Sequence, residues 1–168
     1  MKSYFLNLRT NSSLKKNKAP RETIAYPEAK TIGLVFTVED RQKHDQVKEF
    51  IHRLEKDGKK VSVISFLPKD RENYEFKFDF FTKDDITFWG EIRSNAAAAF
   101  CQSPFDYVYY LDLQPNPVLL NLLARSKARC RFGRHWQEGQ AYFELMIESQ
   151  PSIHSLLESF YRYSACLK

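Results

Sequence analysis

Thr31-Ile32-Gly33-Leu34-Val35-Phe36 and Lys60-Val61-Ser62-Val63-Ile64-Ser65-Phe66 decide the fold. Both are short apolar runs of strand type, suited to burial on both faces of a sheet. Between them Asp40 stands where a helix N-cap is wanted. Val47, Phe50, Ile51 and Leu54 follow at i, i+3, i+4 and i+7, one face of a helix. Gly58, after Lys56-Asp57, stops it. The unit is β-α-β, so a parallel sheet with a right-handed crossover is expected.

Downstream signals extend the pattern. Residues 68–75 read as a polar loop, and Phe76-Lys77-Phe78-Asp79-Phe80-Phe81 alternates like a short edge strand. Ile86, Phe88 and Trp89, stopped by Gly90, form an aromatic connection over the sheet. Asp84-Asp85 reads as capping before Ile86, and Ser94 caps a helix ended by Pro104. Phe105-Asp106-Tyr107-Val108-Tyr109-Tyr110-Leu111-Asp112-Leu113 is a strand, and its tyrosines read as core rather than as a stacking platform for RNA, for which Trp89 and Trp136 are further candidates. Asn116-Pro117 supplies a cap and an N1 proline for a helix over 118–126. Residues 129–133 and 142–148 are further strands. Pro151-Ser152 opens a terminal helix with Ile153, Leu156, Leu157, Phe160 and Tyr161 at helical spacing. The expected architecture is a single α/β three-layer sandwich, Rossmann-like or flavodoxin-like, with a mostly parallel sheet.

Charge divides the chain unevenly. Residues 1–30 hold seven cations and two acids, while residues 31–168 are neutral, so the arm carries the whole net charge of +5. The arm lacks a sustained periodic pattern and is expected to be flexible when unbound, with the α/β domain over 31–168. A second basic run, Arg125-Ser126-Lys127-Ala128-Arg129-Cys130-Arg131-Phe132-Gly133-Arg134-His135, lies in a stretch without acids between Asp112 and Glu138. Its plainer reading is an exposed strand edge protected by charge. Its functional reading is a phosphate-facing patch, because the arginine fork suits bidentate contact.

Signatures of chemistry are missing. Thr37-Val38-Glu39-Asp40 follows the first strand where a nucleotide-binding loop would carry glycines. His44 and His52 read as solvent-facing on a charged helix, and neither His135 nor His154 has a partner at metal-ligand spacing. No nucleophile elbow is present. Asp112, near the end of its strand, reads first as a cap or turn residue. Cys101, Cys130 and Cys166 form no CxxC pair and read as reduced, mostly buried thiols. Residues 1–9 have too short an apolar run for a signal h-region, and no segment reaches the roughly 18 apolar residues of a membrane span. A cytoplasmic protein without cofactor or metal is expected.

The stretches Lys30-Thr31-Ile32-Gly33-Leu34-Val35-Phe36, Asp57-Gly58-Lys59-Lys60-Val61, Phe80-Phe81-Thr82-Lys83-Asp84-Asp85, Phe105-Asp106-Tyr107, Ala128-Arg129-Cys130-Arg131-Phe132-Gly133-Arg134 and Tyr142-Phe143-Glu144-Leu145-Met146-Ile147 resemble an uncharacterised bacterial family known only as a domain of unknown function. That resemblance implies a fold and a basic amino-terminal extension, but no activity. Asp112, Leu123-Ala124-Arg125-Ser126, Lys127-Ala128 and Arg131-Phe132-Gly133 resemble part of one Rossmann-like half of heptosyltransferase-type glycosyltransferases. This implies related architecture without the second, sugar-nucleotide-binding half.

Charge segregation without catalytic motifs leads to a non-enzymatic accessory protein docking on RNA or a ribonucleoprotein, the ribosome included. Lys15, Lys16, Lys18 and Arg21 on the arm, with Arg125, Arg129, Arg131 and Arg134, are the expected phosphate contacts. The alternatives are a ligand-binding or enzymatic domain with a site around Asp40, Asp112 and Arg134, and a protein-interaction subunit of a larger complex.

Overall fold

The computed structural model describes residues 2–74 and 77–168. Six strands, β1 (Thr31–Thr37), β2 (Lys60–Leu67), β3 (Asp79–Thr82), β4 (Tyr107–Tyr110), β5 (Cys130–Arg134) and β6 (Leu145–Ile147), form one sheet. Every pairing is parallel and the order is β3-β2-β1-β4-β5-β6. This is the Rossmann order, with its reversal between β1 and β4.

Among the described residues five helices cover the sheet: α1 (Lys2–Lys16), α2 (Arg41–Lys56), α3 (Asn95–Gln102), α4 (Pro117–Arg125) and α5 (Ile153–Ala165). The sheet grows in one direction from β1 to β2 and in the other from β4 to β5. Right-handed crossovers therefore put α2 and α4 on opposite faces. One core holds Phe36, Val47, Phe50, Leu54, Tyr107, Tyr109, Phe132 and Phe160 under α2 and α5. The other holds Val35, Ile64, Phe81, Phe100, Val108, Tyr110, Leu119 and Leu123 under α3 and α4. The helices begin where local signals place them. Asp40, Ser94, Asn116 and Ser152 each accept a hydrogen bond from a backbone N–H of the first turn. Asp85 accepts from the Thr82 N–H at 2.7 Å, closing a capping box on a short 3-10 turn.

Several expectations are corrected. β5 lies between β4 and β6, so the basic run is no exposed edge. The last strand is only Leu145–Ile147, because Tyr142 and Phe143 belong to the turn before it. β3 begins at Asp79, and Phe76 lies outside the described residues. His44 is buried, 4% exposed, beside Tyr74 and Phe78. Tyr107, Tyr109 and Tyr110 are core residues. Their hydroxyls bond the Ile24 carbonyl, Ser164 and the Gln114 carbonyl, as buried tyrosines require.

The largest difference concerns the first thirty residues, which pack on the domain rather than lying free of it. Leu6 and Thr10, one turn apart on α1, are 4% and 3% exposed against α4. Asn121 Nδ2 donates to the Thr10 hydroxyl at 3.0 Å. Asn17 Nδ2 donates to the Ala124 and Ser126 carbonyls, both at 2.9 Å, satisfying the end of α4. The chain then crosses to the other core, where Ile24, Tyr26 and Ala29 are buried. The sequence shows no amphipathic stripe there because polar caps make much of the attachment.

Two features of this attachment are testable. The loop between Ile86 and Ile92 turns at Gly90, whose φ of 70° is left-handed. A Cβ there would sit 2.4 Å from the Leu6 nitrogen. Gly90→Ala should cost more than about 2 kcal/mol in urea unfolding and raise amide exchange along α1. Gly58→Ala, also at positive φ but with nothing within 4 Å, should cost only about 1 kcal/mol.

Asp57, capping the end of α2, accepts from the Tyr26 hydroxyl at 2.6 Å and the Tyr161 hydroxyl at 2.8 Å. The Tyr26 bond, then Tyr161, Lys59 and Arg53, hold its carboxyl below the usual range despite some desolvation. Because the folded pKa lies below the unfolded value of about 3.9, this contribution is complete above that pH and lost on acidification. Urea midpoints should fall as pH drops below about 4, and less steeply in Asp57→Asn.

Candidate functional site

Open parallel sheets bind ligands beyond the carboxyl ends of the strands, where the order reverses. Here Thr37, Lys43, Asp112 and Asn116 converge. Asp112 Oδ1 accepts from the Thr37 N–H at 2.9 Å, and Oδ2 from the Thr37 hydroxyl at 2.6 Å. Lys43 Nζ lies 2.6 Å from Asp112 Oδ1 and 3.0 Å from Glu39 Oε1. Lys43 and Asp112 are 2% and 4% exposed. Asn116 Nδ2 donates to the Thr37 hydroxyl at 2.8 Å while its Oδ1 caps α4.

The chain thus fills this crevice with its own ion pair. The start of α2, where a phosphate would sit, is taken by Asp40, which accepts from the Lys43 N–H at 2.7 Å. Asp112 therefore caps no helix; it joins β1, β4 and α2. An adjoining cavity of about 190 Å³ is lined by Glu39, Asp40, Gln42, Ser152 and His154, among others. Arg134, the third member of the expected ligand site, is held elsewhere by a bond from its Nη2 to the Ser149 carbonyl at 3.3 Å. Burial pushes the Cys101 and Cys130 thiols up to about 11 and about 12, so neither is a thiolate at neutral pH.

The eight cations singled out in the sequence separate into two groups. Arg131 is 5% exposed. Its Nε and Nη2 bind the two Glu144 oxygens at 3.0 and 2.7 Å, and Nη1 donates to the Leu123 carbonyl at 2.8 Å. Arg21 donates to the Ser126 and Ala128 carbonyls beside it. Burial, and then the Arg131 guanidinium, lower Arg21 to about 10. Arg129 joins Glu22 at 2.5 Å and Asp106 at 3.4 Å. These three arginines, with Arg134, bond other parts of the chain and are not a free phosphate patch.

Lys15, Lys16 and Lys18 are exposed, and Arg125 is half-buried. Asn17 bonds the Ala124 and Ser126 carbonyls, so the end of α1, with Lys15, Lys16 and Lys18, lies beside the end of α4, with Arg125. The first acid of the chain is Glu22, and none lies between Asp112 and Glu138. The fold thus joins two stretches without acids that lie a hundred residues apart.

The sequence offers Trp89 as a stacking aromatic but not the groups that surround it. Arg9 Nε donates to the Trp89 carbonyl at 2.7 Å. Arg9, Ser13, Gly90, Glu91, Ile92, Asn121 and Arg125 line a polar cavity of about 210 Å³. Tyr4, Leu8, Phe88 and Trp89 are exposed large apolar side chains, and Trp89 is 60% exposed. The Trp89 ring lies 5.0 Å from Phe5 and 5.3 Å from Phe88. The only sequence signal was an aromatic pair before a glycine, and it does not show that α1 lies beside it.

Removing one member of a buried ion pair leaves the other charge stranded. Asp112→Asn should therefore cost about 3 kcal/mol in urea unfolding. Nucleotides and sugar nucleotides should leave the melting temperature of the unmodified protein unchanged, since the crevice is already filled.

Among the described residues no helix is long and apolar enough to cross a membrane. No curated protein matches the chain. One family model matches residues 2–163, a span that includes α1 as well as the sheet and its other helices. The chain therefore belongs to the family of unknown function DUF6913.

Proposed function

We propose that this protein is a non-enzymatic accessory factor that docks on RNA or a ribonucleoprotein in the cytoplasm, the ribosome being one such particle. The contact side is formed by α1 and the end of α4. One observation carries the reading: the ends of α1 and α4, which carry Lys15, Lys16, Lys18 and Arg125, lie side by side, and neither contributing stretch holds an acid. Such cations gain affinity by releasing counterions from phosphate, which makes binding steeply salt-dependent. Phosphate contacts position a protein without reading sequence, so specificity would come from the shape of the partner.

The switch-point crevice offers a ligand-binding reading little support, because Lys43 and Asp112 occupy each other there.

Sucrose-gradient sedimentation of lysate tests the proposal. The full chain should travel with RNA-containing fractions at low salt and return to the top at high salt. Lys15→Glu/Lys16→Glu/Lys18→Glu changes exposed side chains only and should stay at the top at either salt. Unmodified protein at the top of the low-salt gradient would reject stable docking.

A further inference from the structure

The outward side of α1 combines two chemistries that polyanion binding alone does not need. Phe5, Arg9, Ser13 and Lys16 follow one another at helical spacing. Phe5 packs against the Trp89 ring and Arg9 holds the Trp89 carbonyl, so the exposed indole is carried by the residue that precedes Gly90 of the cavity wall. Arg125 enters that cavity from α4. Its one bond to a described side chain is a long 3.5 Å contact with Asn121 Oδ1. Arg9 uses its Nε on Trp89, and its terminal nitrogens bond no described residue. Two guanidinium groups and the Ser13 hydroxyl therefore line a space with donors to spare.

We infer, resting on the polyanion reading above, that this side binds single-stranded RNA. Arg9 and Arg125 take a backbone phosphate in the cavity, and Trp89 stacks on an adjacent base. An aromatic ring at the surface can stack only on a base that is unpaired. A duplex offers phosphates but keeps its bases stacked on one another, so it would engage the cations and leave Trp89 unused. The charge on this side favours a polyanion over a neutral protein surface. Tyr4, Leu8, Phe88 and Trp89 are exposed as well, so an anionic lipid surface is the competing occupant, and vesicles form one arm of the test. Glu91, on the cavity wall and paired with Arg93 at 3.1 Å, opposes a phosphate and limits its affinity.

Fluorescence anisotropy with the full chain, a labelled single-stranded oligouridine and an RNA duplex of equal length provides the test. The single strand should bind about tenfold more tightly than the duplex. Trp89→Ala should remove about tenfold of that affinity and abolish the quenching of tryptophan emission by oligouridine. Arg125→Ala should lower the salt slope by about 0.7, as loss of one phosphate contact on a single strand requires. Glu91→Gln should tighten binding severalfold, a gain that damage to the fold cannot produce. Equal affinity for strand and duplex with Trp89→Ala neutral overturns this inference and leaves the polyanion reading in place. Failure to bind either polymer by a protein that still travels with RNA-containing fractions also overturns it. Binding to phosphatidylserine vesicles but to neither polymer overturns both readings.

Discussion

A wholly parallel sheet has to be covered on both faces, and that requirement organises this molecule. Four helices, α2 to α5, follow strands and divide between the two faces. Residues 2–30 complete the cover. α1 lies over α4 on one face, and Ile24, Tyr26 and Ala29 lie over the other. The basic segment is thus part of the packing, and its outward residues are held in fixed places. A flexible arm would lose conformational freedom on binding, whereas a packed helix has already done so.

Burial sorts the cations. Arg131 is enclosed and satisfied by Glu144 and a backbone carbonyl, with Arg21 beside it. A buried guanidinium needs such partners because an uncompensated interior charge is costly. Lys15, Lys16 and Lys18 meet no such demand, because they remain in water. Residues of one charge type, neighbours in sequence, therefore serve different ends. Arg125 faces a cavity while Arg129 and Arg131 lock the strand region beside it.

The switch point shows the same logic. The strand order is that of nucleotide-binding folds, yet Lys43 reaches back from α2 to Asp112 and closes the crevice. A shared strand order does not by itself carry a shared site. An open polar cavity lies instead where α1, the Gly90 loop and α4 meet.

Much of the fold was legible in the chain because its signals are local. The β-α-β unit follows from two apolar runs around an amphipathic helix, and Asp40, Ser94, Asn116 and Ser152 cap helices as their positions imply. The excess of positive charge in residues 1–30 was legible too, since counting suffices. What tertiary structure alone decided was which charges remain free. Arg131 meets Glu144 thirteen residues away, Lys43 meets Asp112 across sixty-nine, and Arg9 meets Trp89 across eighty. Hydrophobic periodicity reports which face of an element is buried but carries no information on the distant group that faces it. For that reason β5 looked like a charged edge and is interior, His44 looked exposed and is buried, and α1 looked unstructured and is packed. Only the folded chain brings Arg9 and Arg125 to one cavity beside an exposed tryptophan.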